Sequence, residues 1–136
     1  MAEGSYYEDI PRDECLALLA GASVGRIGGS IGGRPFVFPV NFAADGDRVV
    51  FKTAPGTKLD GAAFGRVVFE IDGIDDERQG GWSVVVEGVA TEITEMLDAR
   101  SAKLRELDLQ PWPPGEKAHW VAIEPESVTG RRVRSG

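Results

Sequence analysis

Residues 51–58 combine the residue types that bind phosphate. The stretch reads Phe-Lys-Thr-Ala-Pro-Gly-Thr-Lys and contains two lysines, Lys52 and Lys58, and two hydroxyl side chains, Thr53 and Thr57. Ammonium groups, hydroxyls and the backbone N–H groups of a Pro-Gly turn can converge on one oxyanion. The same pattern also fits an ordinary polar loop between a strand and a helix, with Thr57 as the helix N-cap. The helices and strands predicted on either side of residues 51–58 are therefore needed to choose between these two interpretations.

The composition indicates one soluble domain spanning residues 1–136, with residues 1–10 as a loosely ordered N-terminal arm. Hydrophobic residues make up 42% of the chain, and no apolar run is long enough to cross a bilayer. No signal peptide is predicted, so a cytoplasmic location without membrane association is expected. The net charge of −7 argues against nucleic acid as a partner. A phosphate ligand therefore has to be held by a local arrangement of groups.

Residues that bind metals or act as nucleophiles are scarce. The single cysteine, Cys15, lies beside leucines in a helical pattern, which predicts a small buried hydrophobe. The single histidine, His119, excludes a multi-histidine metal site and reads as structural. Acidic residues between positions 70 and 76 are interpreted as a solvated rim. No metal site is expected, and no catalytic acid or base is identified.

The hydrophobic pattern predicts a mainly β chain with peripheral helices. Residues 11–21 form a helix that begins with Pro11 and ends at Gly21, and further helices are predicted over 58–64 and 94–107. The predicted strands are 24–27, 34–42, 48–53, 67–71, 82–93, 119–123 and 128–133. Because they follow one another in hairpin order, we expect six or seven antiparallel strands curled into a small barrel.

Glycines and prolines predict how these strands are joined. Residues 28–33 and 44–47 are read as hairpin turns, whereas 72–81, 109–117 and 124–127 are read as loops or turns. Pro39 cannot donate to a strand ladder, so it marks an edge, a bulge or a strand end and leaves neighbouring backbone groups free for a ligand. Gly88 is expected to mark a bulge in the longest strand.

Four segments in this order resemble the pyridoxamine 5′-phosphate oxidase-like family, the flavin-binding split β-barrels. They are residues 34–41, 50–59, 81–88 and 120–131. The resemblance covers residues 13–133 and implies a split β-barrel, a homodimer, and two flavins in clefts at the subunit interface. It implies FMN as the cofactor, with FAD, a deazaflavin coenzyme or haem as alternatives.

The resemblance also assigns roles to individual residues. The phosphate site maps onto Thr53, Thr57 and Lys58, with Lys52 as a weaker candidate. The strand at Pro39, Val40 and Asn41 would pass the edge of the isoalloxazine ring. Further residues would flank the ring or reach it from the other subunit: Trp82, Ser83, Trp112 and Arg131. Each of Trp82, Trp112 and Trp120 fits stacking on a ring and packing equally well.

The functional expectation is an FMN-binding oxidoreductase that acts on a small molecule. Oxidases of pyridoxamine phosphate carry a further basic pair on the strand matched here by residues 34–38, where only Arg34 remains, and a C-terminal segment that finds no match. These departures argue against pyridoxamine phosphate as the substrate. Other possibilities are a deazaflavin-dependent reductase, a non-catalytic flavin or tetrapyrrole carrier, and a dimeric barrel with an empty cleft.

Overall fold

A computed structural model describes residues 5–52, 65–77, 79–93 and 120–135 of the chain. These residues form one helix, α1 (Arg12–Gly21), and seven strands. The strands are β1 (Ser5–Ile10), β2 (Val24–Ile31), β3 (Arg34–Asp45), β4 (Arg48–Lys52), β5 (Gly65–Asp75), β6 (Gly80–Glu92) and β7 (Trp120–Ser135). The mainly β class is therefore confirmed. No helix within these residues is both long and apolar enough to cross a membrane.

The strands close into a barrel. The sheet order is β1-β7-β4-β3-β2-β5-β6, and β6 also pairs with β7, so the last six strands of this order form a ring. Every pairing is antiparallel. β1 lies outside the ring and pairs with the C-terminal part of β7, from Gly130 to Ser135. The predicted small barrel is confirmed.

Side chains that alternate along the strands fill the barrel. Val49 and Phe51 of β4 point inward and are fully buried, and Phe69 stacks edge-on against Phe42 with ring centres 4.7 Å apart. α1 adds Cys15 and Leu19 to the same core. Burial raises the pKa of the Cys15 thiol, with the Glu14 charge adding to the effect. Cys15 is therefore a buried hydrophobic residue, as its surroundings predict.

Both predicted hairpin turns are confirmed, although the first is tighter than expected. β2 continues through Gly28 and Gly29, and only Gly32 and Gly33 form the turn, both with positive φ. β3 and β4 are joined at Gly46, which also has positive φ. Two-residue turns of this type require such a conformation, which glycine adopts without strain.

Three segments differ from the sequence-based expectation. Residues 5–10, expected as a loose arm, form β1 along the edge of β7. Residues 72–75, expected in a loop, extend β5, and residues 124–127, expected as a turn, lie inside β7. In each case pairing with a neighbouring strand overrides the local composition: the partner is β7 for residues 5–10 and β6 for residues 72–75 and 124–127. The predicted helices at 58–64 and 94–107 and the predicted loop at 109–117 lie outside the described residues.

The predicted bulge at Gly88 explains how β7 carries a proline. Pro125 lies opposite Gly88, and the register between β6 and β7 shifts between Glu87 and Gly88. A Cβ at Gly88 would collide with the carbonyl oxygen of Glu124. The backbones approach so closely that only glycine fits, and the bulge lets one strand continue where the sequence suggests two.

Candidate functional site

The β3–β4 hairpin brings two of the predicted site residues together. Phe42 and Phe51 are the last paired residues of the hairpin, and both side chains are buried in the barrel. Side chains alternate along a strand, so the next residues, Asn41 and Lys52, lie on the outer face. Asn41 is exposed and Lys52 is half-buried. The predicted phosphate-binding stretch continues from Lys52, but Thr53, Thr57 and Lys58 lie outside the described residues.

Lys52 is held in place by an aromatic ring. It lies opposite Trp120 in the β4–β7 ladder, and its Nζ is 4.6 Å from the centre of the Trp120 ring. Trp120 in turn packs against a small buried cluster on the outside of the barrel, formed by Val50, Ile93 and Ala122. A cation over an indole face is attracted by the ring quadrupole. The ammonium group of Lys52 is therefore positioned at the end of β4.

The strand edge expected around Pro39 is present. Within the described residues, positions 34–41 of β3 pair with β2 alone, whereas positions 42–45 pair with β4. The missing N–H of Pro39 is therefore tolerated. The side chain of Val40 is buried in the core, so only its backbone is available to a ligand. Asn41 is the one residue of the three with an exposed polar side chain.

A charged cluster lies next to this edge. Arg26 is opposite Pro39 on one side and Glu70 on the other. Its Nη1 lies 3.0 Å from Glu70 Oε1 and 2.9 Å from Asp72 Oδ2. Burial, followed by the hydrogen bond and the charge of Asp72, raises the pKa of Glu70, while Arg26 opposes the shift. Two of the acidic residues predicted as a solvated rim thus form ion pairs with an arginine. Within the described residues, no group of three or more acidic, histidine or cysteine side chains could hold a metal ion.

Trp82 and Ser83 point to different sides of the sheet. Trp82 packs against the barrel core, and its indole crosses Gly73, where a Cβ would lie 2.5 Å from the Trp82 Nε1. Core packing therefore accounts for the position of this ring. Ser83 faces outward and lies directly opposite Arg131 of β7.

Ser83 and Arg131 line a cavity of about 540 Å³ between β1, β6 and β7. The adjacent cross-strand pair, Val85 and Thr129, also lines it, and Asp9 of β1 lies opposite Arg131 on the other side. The guanidinium carbon of Arg131 is 5.6 Å from the ring centre of Tyr7. Sequence reasoning missed Tyr7, Asp9 and Thr129, because β1 was not predicted and its pairing with β7 is long-range.

The predicted site residues therefore form two groups. Pro39, Asn41 and Lys52 lie together at the β3–β4 end. Ser83 of β6 and its cross-strand neighbour Arg131 of β7 form the second group. Arg131 is eleven residues beyond Trp120, and Trp120 is the cross-strand neighbour of Lys52. Eleven residues of extended strand span about 36 Å. Trp112 lies outside the described residues.

Solved structures share this architecture. The structure of the FAD binding protein from Mycobacterium smegmatis is 38% identical, with a TM-score of 0.80, and the match covers 95% of this chain and 100% of that protein. A conserved protein of unknown function from Corynebacterium diphtheriae is 32% identical, with a TM-score of 0.75 and coverage of 92% and 96%. The fold is a split β-barrel, the class to which flavin-binding proteins of this kind belong.

The sequence comparison assigns the family. The pattern described as pyridoxamine 5′-phosphate oxidase matches residues 11–132, which is most of the chain. The uncharacterized protein Rv0080 of Mycobacterium tuberculosis is 36% identical over 131 residues, covering 92% of this chain and 84% of that protein. The chain belongs to the pyridoxamine 5′-phosphate oxidase family, and the resemblance noted in the sequence is confirmed.

Proposed function

We propose that this protein is a flavin-nucleotide-binding oxidoreductase that acts on a small molecule. The observation that carries the proposal is the position of Lys52. Its ammonium group is held on Trp120 at the end of β4, beside the edge of β3 that has no strand partner among the described residues, and at the start of the predicted phosphate-binding stretch. A cation at that point suits a phosphate, and backbone groups on such a strand edge suit the polar edge of a flavin ring.

The flavin phosphate would be bound by Lys52 together with Thr53, Thr57 and Lys58. The ring would lie along Pro39, Val40 and Asn41, where Val40 offers backbone groups and Asn41 offers its amide. FMN is the cofactor we favour, because residues 51–58 suit a terminal phosphate. FAD is the alternative, supported by the FAD-binding relative from Mycobacterium smegmatis. When bound, the flavin supplies hydride or electron transfer, and the protein supplies position and electrostatics.

We further infer a homodimer with the flavin between its subunits. Lys52 and Arg131 lie so far apart along β7 that both would reach one FMN only from different subunits. An exposed apolar row on the outer face supports this arrangement. Val37 and Val68 flank Gly28 on neighbouring strands, with 68% and 42% of their surface exposed. Burial of such a patch against a second copy favours association.

A titration of the purified apoprotein tests the proposal. FMN, FAD and riboflavin are compared by the quenching of flavin fluorescence, using the wild type, Lys52→Ala and Arg134→Ala. We expect FMN to bind the wild type and Arg134→Ala equally, and Lys52→Ala about tenfold or more weakly, as for loss of one charge-assisted phosphate contact. Riboflavin lacks the phosphate, so its affinity should not change. No saturable binding of any flavin would refute the proposal.

A flavin carrier without catalytic activity is the second candidate. Within the described residues, the carboxylates nearest the free edge of β3, Glu70 and Asp72, are both occupied by Arg26. Neither of these two carboxylates is therefore an unpaired proton donor at the expected edge of the flavin ring. The two functions are distinguished by adding NADH, NADPH or a reduced deazaflavin to the flavin-bound protein and following the flavin absorbance. In an oxidoreductase at least one of these donors reduces the bound flavin, whereas in a carrier none does.

A further inference from the structure

We propose that the cavity at Ser83 and Arg131 binds the carboxylate of a small, partly apolar acid, with Arg131 as its ion-pair partner. The inference deepens the proposed function. It rests on that function only where it names the acid as the substrate that the bound flavin would oxidise or reduce. Binding of the acid itself follows from the cavity alone.

Arg131 carries a positive charge that no carboxylate neutralises within the described residues. Other arginines there contact carboxylates: Arg12, Arg26, Arg48, Arg66 and Arg132. The described contact of Arg131 is with the face of Tyr7, at 5.6 Å. Stacking on a ring face leaves the N–H groups at the edge of the guanidinium available. The contact with Tyr7 therefore leaves Arg131 able to bind an anion in bidentate fashion.

Two hydroxyls add donors beside this charge. Ser83 is the direct cross-strand neighbour of Arg131, and Thr129 lies two residues before it on the same face of β7. A carboxylate placed between them would receive hydrogen bonds from a guanidinium and from hydroxyl groups. Such charge-assisted bonds are the strong ones in proteins. The net charge of −7 makes a local arrangement necessary, because the overall field repels anions.

Asp9 adds an acceptor beside the positive charge. It lines the same cavity and lies opposite Arg131 in the β1–β7 ladder, and within the described residues it forms no ion pair with it. Its carboxylate can accept a hydrogen bond from a hydroxyl or amino group on the ligand. The cavity therefore combines a cation for the acid with an acceptor for a neutral polar group.

The remaining walls and the size define the rest of the ligand. Val85 gives the cavity an apolar side chain on the face of Arg131, whereas Ile10 and Val128, which also line it, turn their side chains into the barrel core. The volume of about 540 Å³ lies within the range of small-molecule sites. An apolar side chain beside a cation favours an acid with a hydrocarbon or aromatic body.

Benzoate and its uncharged analogue benzamide serve as probes. Their affinities are measured by isothermal titration calorimetry for the wild type, Arg131→Gln and Arg131→Lys, with Arg134→Gln as the matched control. Arg134 is exposed on the same strand and does not line the cavity. We expect the wild type and Arg134→Gln to bind benzoate at least tenfold more tightly than benzamide. Arg131→Gln should lose this preference, and Arg131→Lys should recover part of it.

Equal binding of benzoate and benzamide to the wild type, an unchanged preference in Arg131→Gln, or no benzoate binding would each overturn the inference. Thermal unfolding of each variant establishes that the fold is intact. Each sample is also titrated with FMN and FAD. A wild type that binds flavin but shows no benzoate preference contradicts this inference alone, whereas a wild type that binds benzoate but no flavin contradicts the proposed function alone.

Discussion

Lys52 of β4 and Trp120 of β7 are cross-strand neighbours, and the Lys52 ammonium lies 4.6 Å from the centre of the Trp120 ring. The pair joins the start of the predicted phosphate-binding stretch to the first residue of the long strand that closes the barrel. Trp120 is itself anchored on Val50, Ile93 and Ala122. The lysine is thus oriented by a ring that the barrel holds fixed.

Replacing Trp120 by leucine should weaken FMN binding and leave riboflavin binding unchanged. Loss of a cation–π contact of about 1 kcal/mol, with the freedom that Lys52 regains, corresponds to a fall in FMN affinity of about fivefold. Trp120→Phe keeps an aromatic face and should retain most of the affinity. Both dissociation constants are measured by flavin fluorescence. An equal loss for FMN and riboflavin would show that Trp120 acts on the fold and not through Lys52.

The pH dependence of stability should reveal the environment of Glu70. Burial and Asp72 raise its pKa, so ionisation of Glu70 costs more in the folded than in the unfolded protein. The destabilisation grows as pH rises through the interval between the ordinary and the raised pKa. Glu70→Gln should therefore gain stability relative to the wild type over the pH range that begins at the ordinary pKa of a glutamate and rises from there. Urea unfolding of both proteins across this range measures the difference.

Asp72→Asn provides the complementary test. Removing the Asp72 charge should lower the pKa of Glu70 towards its ordinary value, because Asp72 is one of the causes of the shift. NMR titration of the Glu70 side chain measures this directly. A Glu70 pKa that does not move in Asp72→Asn, or a stability difference for Glu70→Gln that is the same at every pH, would contradict the description of the cluster.

The architecture follows from the sequence because local patterns define it. Alternating apolar residues and the glycine turns at Gly32–Gly33 and Gly46 are short-range signals, and they place β2, β3, β4 and α1 correctly. The errors arise where pairing is non-local. The polar sequence of residues 5–10 and the Glu-Pro-Glu-Ser turn signal at 124–127 are overridden by ladders to distant strands.

Gly88→Ala should destabilise the protein by about 2 kcal/mol or more, since a new Cβ meets backbone atoms of Glu124 that cannot move without breaking the ladder. Gly21→Ala is the matched control. No atom lies within 4 Å of a Cβ at Gly21, and alanine is favoured in a helix, so this variant should be neutral or slightly more stable. Chemical denaturation measures both. A Gly88→Ala variant as stable as Gly21→Ala would mean that the bulge does not require glycine.

Charges placed on the apolar row of the outer face should weaken the proposed dimer. Val37→Glu combined with Val68→Glu adds two buried like charges per subunit to such an interface, and we expect a shift from dimer to monomer. Ile74→Glu, a change at a more exposed position near the β5–β6 turn, should leave the dimer intact. Light scattering at several concentrations gives the masses. A wild type that is monomeric throughout, or a double variant that remains dimeric, would contradict the proposed interface.

The candidate site was predictable only in part. The residue types beside a strand end indicate Lys52 directly, whereas Asn41 and Arg131 are assigned through the family resemblance. The sequence does not show that Trp120 orients Lys52, nor that Tyr7, Asp9 and Thr129 surround Arg131, since each of these contacts depends on the register between distant strands.

The central claim is that Lys52 and residues 53–58 bind the phosphate of a flavin, and the most direct measurement compares FMN with riboflavin on the apoprotein. We predict saturable FMN binding at least tenfold tighter than riboflavin binding, with the difference reduced in Lys52→Ala and in Lys58→Ala. Equal affinities for FMN and riboflavin, or a preference for FMN that survives both substitutions, would contradict it.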